Sequence, residues 1–289
     1  MLAFSHPESI PVYLKDKIDK QNIVDDKSKC NIIIDCTLRW AETNPQMIQS
    51  ILNSYISTQK TVFVFLIGDI DTTFEVPPNV RLYRTSLYKS KQVQNEFVLP
   101  YVWEGATHAF PPLEKTSKPI VGFCGLDSFY RKKTLSLLSQ NEDVQTNFIL
   151  RNVFMCGITH DEFFAVINNE TNQMGTVQAF YDNIKQSHFT ICNRGEGNFT
   201  IRFYQVLSSG RIPILINTDL VLPFSDEIDW NEILVIANSE EELIQRLIDY
   251  WEQKDIVSMQ QKCREIYETY FNGTAFFDRI LHTNEDLNI

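Results

Sequence analysis

Short, unbroken apolar runs recur along this chain, and they limit the class of fold it can adopt. NIIIDCTL (31–38), TVFVFLIGD (61–69) and IPILIN (212–217) show none of the apolar–polar alternation of a half-solvated strand. Such runs suit strands covered on both faces, the condition of a parallel sheet flanked by helices. VRLYRTS (80–86), EFVLPYV (96–102), PIVGFCG (119–125), NFILRNVF (147–154), HFTIC (188–192) and ILVIAN (233–238) are shorter strand candidates. Segments of helical period separate them. Asn44 precedes Pro45 as an N-cap precedes a proline at the first helical position, with Met47, Ile51 and Tyr55 on one stripe. Ser239 precedes Glu240, Glu241 and Glu242, acids placed where the helix dipole favours them, and Leu243, Leu247 and Trp251 follow on a buried stripe. Helical patterns also cover 130–138, 176–186, 200–208 and the region from Ile256 to Tyr270.

Strand–helix alternation over 289 residues exceeds one minimal α/β unit. The periodicity breaks at FPPLEKTSKP (110–119), with three prolines in ten residues. We therefore divide the chain into a first unit at 1–112, a second at 113–271 and a tail at 272–289. Two Rossmann-like units facing across a cleft are the expected architecture, with ligands beyond the carboxyl ends of the strands.

A net charge of −11 argues against a nucleic-acid partner. Clustered cations still suffice for a small phosphorylated ligand, because screening confines the acidic background to about 8–10 Å. The six cysteines form no CxxC pair, and several lie in apolar runs, as expected of free thiols in a reducing compartment. The N-terminus lacks the basic lead and apolar core of a signal peptide. No window approaches the roughly 20 apolar residues of a membrane span. These features lead us to expect a cytoplasmic location and no transmembrane segment. Of three glycosylation sequons, at Asn169, Asn198 and Asn272, the second falls inside the motif described next.

That motif is CNRGEGNFTIRFYQVLSSGRIPILINTDLVLPF (192–224). A strand ends at Cys192, a tight RGEG loop follows, and a helix opens near Thr200. Glycines allow close backbone approach, and a helix start offers free N–H groups and a positive dipole end. With Arg194 before the loop and Arg202 in the first helical turn, the segment reads as an anion cradle or as an ordinary tight turn with solvated arginines. Gly195 and Gly197 supply only the start of a dinucleotide fingerprint, which disfavours a dehydrogenase.

The same segment resembles the C-terminal half of the exostosin family of glycosyltransferases, which carries a stretch like PRGxGxxSFRLYEALxxGxIPVxxxDxxxLPF followed by IDW. Arg194, Gly195, Gly197, Arg202, Tyr204, Gly210, Ile212, Pro213, Asp219, Leu222, Pro223 and Phe224 fall in register, Thr200 stands for the serine, and Ile228, Asp229 and Trp230 match IDW. The likeness covers about 187–271 well and extends weakly through VGFCGLDSFYRKK. FVLPYVWEG (97–105) matches only in rhythm.

The resemblance implies the two-domain fold called GT-B. It also implies inverting transfer from a nucleoside diphosphate sugar, usually a UDP-sugar, to a hydroxyl of a glycan, with no metal or other cofactor. The implied donor contacts are Arg131, Arg194, Gly195, Gly197, Thr200, Arg202 and Gln205. The last departs from the family, which usually has an acid there to accept hydrogen bonds from the ribose; Gln accepts without charge. Inversion needs a carboxylate base in the first half. Glu104 is favoured by its place near the break, with Asp69 and Asp35 as alternatives, and Trp103 and Trp40 beside these acids are candidates for stacking on the acceptor. GDID (68–71), which holds Asp69 and Asp71, reads as a solvated turn rather than a metal site. A non-catalytic nucleotide-sugar or carbohydrate-binding protein with the same fold is the rival reading, supported by Gln205.

Overall fold

The computed structural model describes residues 2–4, 29–36, 38, 44–101, 109–151, 174–272 and 275–282. Among the described residues, ten strands form two parallel five-stranded sheets. The first sheet holds β1 (Leu2–Phe4), β2 (Ile32–Asp35), β3 (Thr61–Leu66), β4 (Val80–Arg84) and β5 (Glu96–Val98), paired in chain order. The second holds β6 (Ile120–Leu126), β7 (Gln145–Arg151), β8 (Phe189–Ile191), β9 (Ile212–Ile216) and β10 (Val235–Ala237), in the spatial order β7-β6-β8-β9-β10. The helices are α1 (Pro45–Ser54), α2 (Phe129–Ser139), α3 (Met174–Lys185), α4 (Ile201–Ser208), α5 (Trp230–Ile233), α6 (Glu240–Gln253), α7 (Ile256–Tyr270) and α8 (Ala275–His282).

The expected caps are in place. The Asn44 side chain accepts from the Gln46 amide at 2.9 Å and starts α1. Ser239 accepts from the Glu242 amide and starts α6, which buries Leu243, Leu247 and Trp251 against the second sheet. Asp229 caps α5 through the Asn231 amide at 3.1 Å, so the segment expected to enter a strand at 233 is helical to Ile233 and extended from Val235. One short strand, β1, had no counterpart in the sequence reading.

Register assigns the two faces of the first sheet. Ile33, Val62, Val64, Val80 and Leu82 share a core with Ile48 and Leu52 of α1. Ile34, Phe63, Phe65 and Tyr83 point the other way and join the core of the second half. Parallel strands paired in chain order are joined by crossovers of one hand, which lie on one face; the opposite face needs another cover. Helix α8 supplies it: Phe277 lies 5.5 Å from Phe65 and Phe276 lies 6.3 Å from Tyr83, edge to face. The segment set apart as a tail thus contains a packed helix that ties the two halves together.

The proline-rich break is fastened to the second half. The Leu113 amide donates to Gln260 Oε1 and Gln260 Nε2 donates back to the Leu113 carbonyl, at 3.0 and 2.9 Å. Buried Arg211 donates to the Pro111, Gly210 and Lys185 carbonyls. His188 accepts the Ile120 amide on Nδ1, so its Nε2 carries the proton given to the Glu114 carbonyl.

Candidate functional site

In the second sheet the strand order reverses between β6 and β8, and crevices at such switch points take ligands. Two helices, α2 after β6 and α4 after β8, begin there. Neither is capped by a side chain: Ser128 and Thr200 occupy the N-cap positions in extended conformation without a cap bond. The starts of α1, α5, α6 and α7 are closed by the side chains of Asn44, Asp229, Ser239 and Asp255. The first turns of α2 and α4 contain no acid and instead carry Arg131 and Arg202, cations at the positive ends of helix dipoles.

Each arginine is set by its surroundings. Arg202 Nη2 donates to the Cys124 carbonyl of β6 at 2.8 Å, and its guanidinium lies 4.4 Å from the Phe123 ring centroid. A Cβ on Gly125 would come within 2.6 Å of Arg202 Nη2, so glycine makes room for the guanidinium. Arg131 also overlies Phe123, at 5.8 Å, and makes one long bond, 3.4 Å, to the Leu126 carbonyl. Its Nε and the Ser128 hydroxyl are buried with no hydrogen-bond partner among the described residues. Burial, and next the like charge of Arg202, push the Arg131 guanidinium down to about 10. Burial raises the Cys192 thiol to about 12 although both arginines oppose it, so this cysteine is an inert wall. Two half-buried cations at two helix starts without side-chain caps have the chemistry to hold an anion with two charges.

The RGEG loop faces the first half. Arg194 stacks on the Tyr130 ring at 4.7 Å and bonds to the Tyr88 hydroxyl and the Glu196 carbonyl. The Gly195 amide donates to the Phe199 carbonyl at 3.3 Å. The Gly197 amide donates to Asp69 Oδ1 at 3.0 Å, and a Cβ there would stand 2.5 Å from that oxygen and 2.9 Å from Asp69 Cα. The expected cradle thus divides: Gly197 seats the first half, Gly195 stays beside Arg131, and the uncapped helix start is that of α4. Thr200 borders a cavity of about 40 Å³ with Arg194 and Cys192. Gln205 is half-buried in the second turn of α4.

Asp69 sits in a turn built to hold it. The buried pair Arg84–Glu96, at 2.9 Å, lets Arg84 donate to the Ile70 and Thr72 carbonyls, and the Thr85 hydroxyl donates to the Gly68 carbonyl at 2.8 Å. Asp69 is an exposed residue, but partial desolvation of its carboxyl raises it above its ordinary value, aided by Glu196 and Asp71 and opposed by the Gly197 amide and Arg194. Asp71 points elsewhere, accepting from the Ser86 and Tyr88 hydroxyls at 2.7 and 3.1 Å. Asp35 is buried and accepts the Tyr55 hydroxyl at 2.6 Å, on the side of the sheet that α1 covers. Glu104, Trp103 and Trp40 lie outside the described residues.

The sequence marks Asn198 only as a glycosylation sequon and shows no structural role for it. Its amide donates to the Ser86 hydroxyl at 2.8 Å, its Nδ2 to the Leu87 carbonyl at 3.0 Å, and its Oδ1 accepts the Thr218 hydroxyl at 2.6 Å. With 3% of its surface exposed, this sequon asparagine has no room for a glycan. Its partners in the first half are more than 100 residues away, and no local pattern announces them.

The family model of the Exostosin GT47 domain matches residues 64–248. The Exostosin-1 homolog of Caenorhabditis elegans is 29% identical over 95 residues, 32% of this chain and 25% of that protein. The probable glucuronosyltransferase GUT1 of Oryza sativa subsp. japonica is 34% identical over 64 residues, 22% of this chain and 15% of that protein. These matches span a quarter or less of the relatives' length. Among solved structures, that of WaaG, a glycosyltransferase involved in lipopolysaccharide biosynthesis, superposes with a TM-score of 0.42 at 10% identity, covering 95% of this chain and 97% of that one. With the family match running from within β3 into α6 and taking in the later strands of the first sheet, the whole second sheet, the site at the switch point and the loop that faces Asp69, this chain belongs to the Exostosin GT47 family.

Proposed function

We propose that this protein is a glycosyltransferase that moves a sugar from a nucleoside diphosphate sugar, of the UDP class, to a hydroxyl of a glycan, with inversion at the anomeric carbon. The observation that carries this reading is the pair Arg131 and Arg202 at two helix starts left open by their own side chains. A diphosphate between them would gain both dipoles and both cations, interactions that strengthen as the leaving group takes up charge. Arg194, the 195–197 loop, Thr200 and Gln205 complete the donor side in this reading, with Gln205 at the ribose.

Inversion takes one displacement. The acceptor oxygen forms a bond to the anomeric carbon as the bond from that carbon to the phosphate oxygen breaks. The diphosphate leaves with the electron pair, and the acceptor proton passes to a carboxylate of the first half. Asp69 suits that role in its surroundings: it faces the donor-side loop, it is exposed enough to meet an acceptor, and partial desolvation raises its basicity. Glu104 is the alternative base, and Trp103 and Trp40 are assigned to the acceptor. The commitment of Asp35 to Tyr55 argues for a structural role.

We further propose that the reaction needs no divalent metal, the two guanidiniums serving in its place, and that the protein works in the cytoplasm. The free, buried thiols of Cys192 and Cys263 and the inaccessible sequon at Asn198 support a reducing setting.

A panel of UDP- and GDP-sugars, followed by melting temperature and product release, tests the proposal. A matched donor at about 100 times its dissociation constant adds about 2.7 kcal/mol of stability. Turnover should survive excess EDTA. A protein stabilised by no nucleotide sugar, or one that loses turnover to EDTA and regains it with manganese, would refute the corresponding part. Stabilisation without turnover on any acceptor would favour a binding protein of the same fold.

A further inference from the structure

The contacts between the two halves concentrate on one short segment of the first, residues 86–90, which touches the second half at three places. The Ser86 hydroxyl and the Leu87 carbonyl accept hydrogen bonds from Asn198 at 2.8 and 3.0 Å. The Tyr88 hydroxyl meets Arg194, and Tyr88 also forms an isolated antiparallel bridge with Leu220. The Lys89 amide donates to the Asp219 carbonyl at 2.8 Å, and the Ser90 amide to Asp219 Oδ2 at 3.0 Å. Asp219 makes these bonds from the left-handed region, φ 61°, which Asp and Asn enter more readily than most residues.

Asn198 differs from the other anchors in its location. It lies two residues before the N-cap of α4 and four before Arg202, on the chain that would carry the diphosphate. Its side chain is satisfied at both ends, Nδ2 by the first half and Oδ1 by Thr218 of the second. Aspartate at 198 would lose the donor to Leu87, and alanine would lose both bonds. At 3% exposure, water does not easily replace them.

We propose that Asn198 is a positioning residue for sugar transfer, fixing the 86–90 segment of the first half in register with the start of α4. This rests on the reading of the protein as a glycosyltransferase. The acceptor is held on one half and the donor on the other, and displacement needs the reacting atoms about 3–3.5 Å apart and aligned. Asn198, as the anchor of this segment next to α4, therefore acts on transfer while touching neither diphosphate nor acceptor.

The test uses full-length Asn198→Ala, Ser86→Ala and the double variant. UDP affinity is measured by calorimetry, turnover on the donor and acceptor found for the wild type, and amide exchange over 86–90. Each single change should lower kcat by about 10- to 100-fold, the range set by misalignments of about 1 Å, with the UDP dissociation constant within about threefold of wild type. The double variant should be no slower than the slower single one, because both changes release the same segment: Ser86→Ala removes the acceptor of the Asn198 backbone amide, and Asn198→Ala removes the side-chain bonds to Leu87 and Thr218. Exchange over 86–90 should rise in all three while the melting temperature stays within a few degrees.

UDP affinity falling in step with kcat would overturn the proposal by putting Asn198 in the donor pocket. Multiplying losses would overturn it by giving the two residues separate roles, and unchanged kcat would leave Asn198 without one. If the wild type transfers no sugar, the glycosyltransferase reading fails by itself; the clasp is then judged on exchange alone, and unchanged protection over 86–90 in the variants refutes it.

Discussion

Replacing Arg131 by methionine should strengthen the empty protein and weaken its hold on a nucleotide, two effects of opposite sign. Burial, and next the charge of Arg202, bring the Arg131 guanidinium down to about 10 from an ordinary value of 12.5. At about 1.4 kcal/mol per pH unit that is about 3.5 kcal/mol, and after solvent screening of this half-buried group the folded chain carries the charge at a cost on the order of 2–3 kcal/mol. Methionine keeps an apolar stem against Phe123 and gives up one long bond to the Leu126 carbonyl, a loss of about 1 kcal/mol. The net expectation is a gain of about 1–2 kcal/mol, with melting rising by about 2–4 °C per kcal/mol. A charged bond to phosphate contributes about 1.5–3 kcal/mol, so UDP should bind about 10- to 150-fold more weakly. Arg202→Met is the internal comparison. Its guanidinium also bonds the Cys124 carbonyl of β6, so this variant should lose stability as well as affinity. Differential scanning calorimetry without ligand and titration calorimetry with UDP decide the matter on one preparation. An Arg131→Met protein that melts lower and binds UDP normally would refute the reasoning, since Arg131 would then be a structural cation.

Gly197→Ala must force its Cβ against Asp69 at 2.5 Å, whereas a Cβ at Gly195 has only Arg131 Nη2 at 3.8 Å to meet; chemical denaturation should show a loss of about 1–3 kcal/mol for the first and little for the second, and equal effects would place the halves differently. Burial holds the His188 imidazole below its ordinary value of 6.5. The unfolded chain therefore binds a proton that the folded chain refuses, and stability should fall as pH drops below about 6.5, by up to about 1.4 kcal/mol per unit. Urea midpoints between pH 5 and 8 measure this, and a slope that persists unchanged in His188→Asn would assign the effect to other groups.

The elements of this fold were legible because their causes are local. An unbroken apolar run needs cover on both faces wherever it lies, and an asparagine before a proline or a serine before three glutamates satisfies helix amides within one turn. Asn44, Ser239 and the runs around Phe63 and Ile214 therefore spoke for themselves, and the strand–helix rhythm gave two parallel sheets. The motif at 192–224 likewise carried the family, because its residues lie along one stretch of chain. Boundaries failed where a local signal was weak or two competed: three residues at Leu2–Phe4 are too few to show a pattern, and Asp229 drew the residues before Val235 into a helix.

The use of the first sheet's second face was decided in three dimensions. No pattern within 275–282 tells which sheet Phe276 and Phe277 will cover; the uncovered face that holds Phe65 and Tyr83 makes that choice. The same holds at the site. Gly197 meets Asp69 across 128 residues and Asn198 meets Ser86 across 112. Arg131 and Arg202 become neighbours because β6 and β8 pair at the centre of the second sheet. Local signals record energies that act within a helical turn or along one strand. Contacts between the halves arise when two finished layers bury their remaining apolar faces against each other, and their partners are fixed by that packing rather than by their neighbours in the chain.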